Sequence, residues 1–188
     1  MLVMLREVLG TLRQVEALGP VLVVTPDAAV AALAEGCGAH VLRETGPSTH
    51  SAAATAGFAH ARARGAALAL TLPADAPLVT PGEVSQLLAA ACPAPRRRVV
   101  LAPAHDRDGT NAILAAPPDA FPASFGPGSF ARHLAAAATL GVDCRVVELA
   151  GLARDIDDPR DLEVLLAARR NDPGYAFLRC PGAGASAP

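Results

Sequence analysis

A chain of 188 residues is long enough for one domain with a sizeable core, and a net charge of -2 with a pI of about 6.2 leaves no nucleic-acid footprint. Hydrophobic residues make up 52% and aromatics only 3%, so much of the apolar content is alanine, which suits helices with small-residue faces. Mean hydropathy is +0.33, yet no apolar run reaches the roughly 18 residues of a spanning helix, MLVMLREVLG has no cleavage pattern, and Cys37, Cys92, Cys144 and Cys180 form no CxxC pair; a cytoplasmic protein with reduced thiols is expected.

Leu2 to Leu18 reads as an amphipathic helix, with Leu5, Val8, Leu9, Leu12 and Val15 on one face. Val21 to Thr25 reads as a buried strand, followed by a helix over Ala28 to Glu35 and a short strand over Gly38 to Leu42. An Ala-rich helix spans Thr49 to Arg64, and Ala66 to Leu72 is a second buried strand. Thr80-Pro81-Gly82-Glu83 has capping-box spacing with proline at the first helical position, and starts a helix that runs to Ala91. Arg96-Arg97-Arg98 reads as a solvated edge or loop. Strands at Val99 to Ala102 and Asn111 to Ala115, a helix over Ser129 to Leu140, a strand over Arg145 to Val147 and a helix over Pro159 to Arg169 complete the order. Alternating strands and helices imply an α/β fold with a mostly parallel sheet covered on both faces. Residues 1–170 form the expected domain, and 171–188, ending PGAGASAP, the expected disordered tail. No GxGxxG or GxxxxGK[ST] loop occurs, and the chain opens on a helix, without the strand and phosphate loop that begin a doubly wound fold.

Four stretches carry candidate chemistry. In TLPADAPLVTPGE, Pro73 and Pro77 bracket Asp75 just past a strand end, where α/β sheets bind ligands. An aimed carboxylate there suits Mg²⁺, and a turn aspartate is the equally open reading. In DIDDPRDL, Asp158 reads as an N-cap and Asp161 as a first-turn acid. Asp155 and Asp157 alternate around Ile156 toward one side, and a cation between them or a solvated acidic loop accounts for both. In AHDRDGTNAIL, Thr110 and Asn111 open a strand after the Asp108-Gly109 turn. They can hold a carboxylate or phosphate, or merely start the strand. In FGPGSFARH, Gly126 and Gly128 free the backbone and Ser129 opens a helix whose N–H groups could cradle an anion. His133 lies four residues beyond Ser129 on the same face and by itself reads as structural. A divalent metal with phosphorylated substrates is the reading that uses all four stretches.

LPADAPLVT, GTNAIL, FGPGSFARH and DIDDPRDL, in this order, resemble the 2-phospho-L-lactate guanylyltransferase family, which includes phosphoenolpyruvate and 3-phospho-D-glycerate guanylyltransferases of coenzyme F-420 biosynthesis. The resemblance covers Leu2 to about Leu166. It implies a Rossmann-like, GT-A-type nucleotidyltransferase fold. It also implies joining of GMP from GTP to 2-phospho-L-lactate, phosphoenolpyruvate or 3-phospho-D-glycerate, with release of pyrophosphate. Asp75 and Asp157 match the catalytic, metal-carrying positions for Mg²⁺. Thr110, Asn111, Gly126 and Ser129 match the acceptor-acid pocket, and Ser51 and Pro73 the nucleotide side. Ser51, in THSAA, stands where the family often has an amide near the guanosine.

The family opens with a strand and a Lys/Arg-bearing loop at the GTP phosphates, and Met1 falls after both. The missing strand implies an open sheet edge, so homodimers are an expectation, and the 188-residue chain alone is expected to have little activity. Neither a nucleic-acid nor a membrane partner is expected. The rival readings are a non-catalytic remnant that binds a phosphorylated ligand, and a molybdenum-cofactor-type nucleotidyltransferase, whose LPADAPL and DIDDPxDL motifs are similar.

Overall fold

A computed structural model describes residues 1–44, 49–92 and 97–179. These divide into two compact units, Met1–Asp155 and a second from Ile156 onward. The first holds α1 (Leu2–Leu12), β1 (Leu22–Thr25), α2 (Ala28–Gly36), β2 (His40–Arg43), α3 (His50–Ala63), β3 (Ala69–Thr71), α4 (Pro81–Ala91), β4 (Arg98–Pro103), β5 (Thr110–Ala116), a 3₁₀ turn (Pro118–Ala120), α5 (Ser129–Leu140) and β6 (Asp143–Val146). The second holds α6 (Pro159–Ala168) and a 3₁₀ helix over Pro173–Arg179, a segment assigned to the tail from sequence. Residues 180–188, which contain Cys180 and the PGAGASAP end, lie outside the described residues, as does Arg96.

The expected mostly parallel sheet is in fact mixed. β1 and β2 form a parallel pair, and a four-stranded sheet runs β3-β5-β4-β6. β5 is antiparallel to both β3 and β4, whereas β4 and β6 are parallel. The reason is the length of the β4–β5 connection. Residues 104–109 are too few for the dozen or more that a parallel crossover requires, so β5 must fold back on β4 as a hairpin. Both strands are buried along their whole length, which removes the alternating polar signature that would mark an antiparallel pair in sequence.

Alternate residues of β4 and β5 feed two cores. Val100, Ala102, Ala112 and Leu114 pack with Val8 and Leu12 of α1 and with Val84 and Leu87 of α4. Val99, Leu101, Ile113 and Ala115 pack with Phe58 of α3, Phe121, and Phe130 and Ala137 of α5. Helices therefore cover both faces, as expected. α1 ends at Leu12, short of the predicted Leu18. Its continuation is a series of turns with Gln14, Val15 and Leu18 N–H groups donating three residues back, and Val15 is still buried. Arg98, read as solvated, is buried at 6% exposure. Its guanidinium pairs with Asp143 of β6 at 2.6 Å and donates to Ala91 O at the end of α4 at 3.1 Å, so the buried charge is compensated by its neighbours. Cys37, Cys92 and Cys144 are free thiols. Among the described residues no helix is long and apolar enough to cross a membrane.

β3, β4 and β6 run in one direction and β5 in the other. The carboxyl ends of β3, β4 and β6 and the first residue of β5 therefore share one end of the sheet. Glu83 secures two of the loops at that end. It completes the α4 capping box, accepting from Thr80 N–H at 2.9 Å, and it accepts from Gly151 N–H at 2.6 Å. A Cβ at Gly151 would lie 2.2 Å from Leu78 O and 2.7 Å from Glu83 Oε2. Gly151→Ala is therefore expected to destabilise the protein by roughly 1–3 kcal/mol, the range for forced overpacking, seen as a lower midpoint in urea unfolding monitored by circular dichroism. An unchanged midpoint would show that the two loops are not held against each other.

Candidate active site

Asp75 lies in the turn after β3, between buried Pro73 and Pro77, and is half-buried itself. Burial pushes its carboxyl above the usual carboxylate range; its own backbone N–H opposes the shift, repulsion from Asp155 adds to it, and attraction to His50 opposes it. Asp155 is thus the carboxylate of the first unit whose charge is felt at Asp75. It is fixed by Asn111, whose Nδ2 donates to Asp155 Oδ1 at 3.1 Å and to Leu152 O at 2.9 Å. Sequence reasoning left Asp155 open and chose Asp157 by resemblance. Asp157 is exposed in the second unit, where its N–H donates to Asp161 Oδ2 at 3.4 Å. In that unit Asp158 and Asp161 form the α6 capping box, as their spacing implied.

Asp155 adds to the cost of ionising Asp75, and a half-buried carboxylate that faces a second negative charge is an environment a cation relieves. One or two protein carboxylates with substrate oxygens is the ligand set Mg²⁺ takes. The residues present therefore fit the ion, although among the described residues no three His, Cys, Asp or Glu side chains form a ready-made cage.

The other half of the site is built on Thr110 and α5. Thr110 and Asn111 are both buried and, being adjacent in a strand, point to opposite faces: Asn111 toward Asp155, Thr110 toward α5. Thr110 N–H donates to Ser129 Oγ at 2.9 Å, and Thr110 Oγ1 lies 2.9 Å from His133 Nδ1. His133 Nε2 accepts from Ser124 N–H at 2.9 Å. The imidazole is 1% exposed, with Phe121 and Phe125 tilted against it at 5.6 and 5.7 Å between ring centroids. Burial, and then the Arg132 charge, lower its pKa to about 4, so it is neutral at physiological pH. His133, read from sequence as an ordinary helical histidine, is the centre of this half of the site. No single-position signal marks it, because its partners lie 9 and 23 residues away.

The glycine-rich loop departs from the reading as an open cradle. Asp108 already occupies the start of α5, accepting from Gly128 N–H with its carboxylate at 2.8 Å and from Phe130 N–H with its carbonyl at 3.0 Å. Arg132 closes the loop from beneath, donating to the carbonyls of Ser124 and Phe125 at 3.2 and 3.3 Å and to that of Pro127. Gly126 has φ +104, a conformation that favours glycine, and the space where its Cβ would stand is open.

Ser51, in the first turn of α3, accepts from Phe125 N–H at 2.9 Å. The neighbouring His50 ring stacks on Phe125 at 4.0 Å and 7°. Partial burial of that ring holds the His50 pKa below its ordinary value, against the pull of Asp75 and Asp155. Asp75, Asp155, Asn111, Thr110, His133, Phe125, Ser51 and His50 thus form a continuous line of interactions within the first unit. A depression of about 660 Å³ lined by Arg97, Gly141, Val142 and Asp143 is at the opposite end of β4 and holds none of them.

Helices on both faces of a mixed sheet, with a carboxylate after β3 and the remaining polar groups at the same sheet end, form an α/β fold that this chain shares with solved nucleotidyltransferases. The CMP:2-keto-3-deoxy-manno-octonic acid synthetase in complex with CTP aligns with a TM-score of 0.64 at 18% identity, covering 89% of this chain and 87% of that one. A putative nucleotide-diphospho-sugar transferase from Desulfovibrio desulfuricans G20 aligns with 0.69 at 16% identity, over 94% and 80% of the two chains. The family described as "Guanylyl transferase CofC like" matches residues 1–184, and the chain belongs to that family. The phosphoenolpyruvate guanylyltransferase of Rubrobacter xylanophilus is 46% identical over 165 residues, 88% of this chain and 78% of that protein. The one from Conexibacter woesei is 36% identical over 92% of this chain and 78% of its own length. The 3-phospho-D-glycerate guanylyltransferase of Colwellia psychrerythraea is 42% identical over 51% of this chain and 44% of its own.

His133 makes stability depend on pH in a defined direction. The unfolded chain takes up a proton near pH 6.5, whereas the folded protein holds His133 neutral to about 4. Between those values the unfolded state binds the extra proton, so this contribution is full above 6.5 and is lost as pH falls toward 4. The difference in unfolding free energy between wild type and His133→Asn should shrink over that window by up to about 3 kcal/mol, measured by urea unfolding at pH 4.5, 5.5 and 7. A difference independent of pH would contradict the neutral buried imidazole.

Proposed function

We propose that this guanylyltransferase joins GMP from GTP to a phosphorylated three-carbon acid, with phosphoenolpyruvate the foremost candidate, and that the product serves the coenzyme F-420 route. The observation that carries this reading is the hydroxyl pair of Thr110 and Ser129, buried and hydrogen-bonded to one helix, at the same sheet end as the Asp75 and Asp155 carboxylates. Such a pair suits the carboxylate or phosphate of a small acid, and the carboxylates suit a cation that takes triphosphate oxygens. The names of the relatives in Rubrobacter xylanophilus and Conexibacter woesei support phosphoenolpyruvate.

In this reading the phosphate oxygen of the acid attacks the α-phosphorus of GTP, the new P–O bond forms as the bond to the bridging oxygen breaks, and pyrophosphate leaves with that oxygen. The acceptor is already an anion, so no general base is required. Two anions must be brought together, so catalysis is positioning and charge compensation. Asp75 would hold a Mg²⁺ ion, which when bound would supply that charge compensation. Asp155 orients through Asn111, and Asn111 follows Thr110 directly, so the acid side and the metal side are fixed by consecutive residues of one strand. Ser51 and Pro73 stand on the nucleotide side, where Ser51 also holds the Phe125 amide. The metal role of Asp157 rests on the family resemblance.

The test is pyrophosphate release from GTP with each of the three acids. Release with one acid and GTP, and none without the acid, is expected from a version extended upstream of Met1 by the opening strand and basic loop of the family, and little from the 188 residues alone; absence of acid-dependent release from the extended version would overturn the reading. Asp75→Asn is expected to abolish turnover while leaving the unfolding free energy within about 1 kcal/mol of wild type, as for substitutions outside the core. Ser129→Ala is expected to raise the Michaelis constant for the acid about ten- to hundredfold, the worth of one hydrogen bond to a charged group, with a smaller effect on GTP. An effect confined to GTP would place the two substrates the other way round.

A further inference from the structure

The hydrogen bonds around His133 have a polarity that the distances alone do not convey. A backbone N–H can only donate, so the 2.9 Å bond from Ser124 N to Nε2 leaves that nitrogen without a proton. A neutral imidazole carries one proton, which must then be on Nδ1. The 2.9 Å contact to Thr110 is consequently Nδ1–H donating to Oγ1. The Thr110 hydroxyl proton is not used on the histidine. The next bond has the same sense: Thr110 N–H donates to Ser129 Oγ at 2.9 Å, and the Ser129 proton is likewise not used on Thr110. Each hydroxyl oxygen has accepted within the protein, and each keeps its own proton to donate.

With the opposite tautomer Thr110 would donate to bare Nδ1 and present a lone pair outward, which repels an anion. We infer that His133 is a positioning residue that fixes Thr110 as a hydrogen-bond donor and so gives the acid side of the site its preference for anions. His133 touches no substrate. It acts through Thr110 and rests on the reading of that side as the acid pocket. The low pKa agrees with this arrangement, since a second proton on the ring would displace the Ser124 amide. Phe121 and Phe125 exclude water that could satisfy either nitrogen in the other sense.

Two conservative variants separate the ring's two nitrogens. His133→Asn keeps an N–H donor where Nδ1 stands and loses the Ser124 acceptor; His133→Gln keeps an acceptor where Nε2 stands and loses the donor to Thr110. Binding of phosphoenolpyruvate to the full chain is measured by calorimetry, with turnover measured in parallel. The expected result is a dissociation constant for His133→Asn within about threefold of wild type and one for His133→Gln at least tenfold weaker, with GTP binding little changed in both. Equal losses in the two variants, or a greater loss in His133→Asn, would overturn the inference.

The tautomer is read directly in wild type by long-range ¹H–¹⁵N correlation of the imidazole. A protonated Nδ1 is expected, and a protonated Nε2 would overturn the inference even if neither variant folds. Failure of the proposed function looks different. There the ring would show a protonated Nδ1, and no candidate acid would bind or react in wild type; the hydrogen-bond polarity would stand while its service to an acid pocket would be refuted.

Discussion

Thr110 is held to α5 by its amide N–H and its hydroxyl, and the rest of the site depends on that attachment. At the end of the β4–β5 ladder the register shifts between Ala102 and Pro103, and Thr110 N–H goes to Ser129 Oγ. Its side chain takes a second bond, from His133 one turn further along the same helix. Two bonds from one residue to positions four apart on a helix fix both the helix's approach and its rotation about its own axis. Buried polar groups of this kind are costly if unmet, because desolvation is not recovered elsewhere. Here every step has its partner, so the arrangement rigidifies rather than weakens the end of the sheet.

Consequences follow in both directions along the backbone. Because side chains alternate in a strand, Asn111 must face away from α5, and it meets Asp155. From α5, Arg132 and His133 hold the carbonyls of Ser124 and Phe125 and the amide of Ser124, which sets the glycine-rich loop. Phe125 then carries the influence to α3 through the Ser51 hydroxyl and the His50 ring. The residues assigned to the acid and those assigned to the nucleotide are thus linked by a short series of direct contacts. A small displacement of α5 would be felt at both.

Much of this was legible in the sequence, and what was not has physical causes. The capping boxes at Thr80–Glu83 and Asp158–Asp161 depend on residues three apart and were visible directly. Asp75 was visible because two prolines restrict the loop around it. The sheet's mixed character was masked because β4 and β5 are apolar throughout, although the length of residues 104–109 contained the answer. The start of α5 looked like an open anion cradle because Asp108, which occupies it, is 20 residues from Gly128. His133 and Asp155 were undervalued for the same reason: their meaning lies in partners distant in sequence, and a residue type alone does not disclose which of its atoms donates.

Glu83 serves α4 and the Gly151 turn with a single carboxylate, one oxygen to each. Neither attachment can be released without loosening the other, so the first turn of α4 and the turn just before Asp155 belong to one cooperative opening unit, despite a separation of 68 residues. Fraying at a helix end, ordinarily a local and harmless event, would here free the segment that carries one of the two paired carboxylates. The stability of the α4 cap is in that sense a component of the electrostatic field at Asp75, transmitted through a hydrogen bond and not through charge.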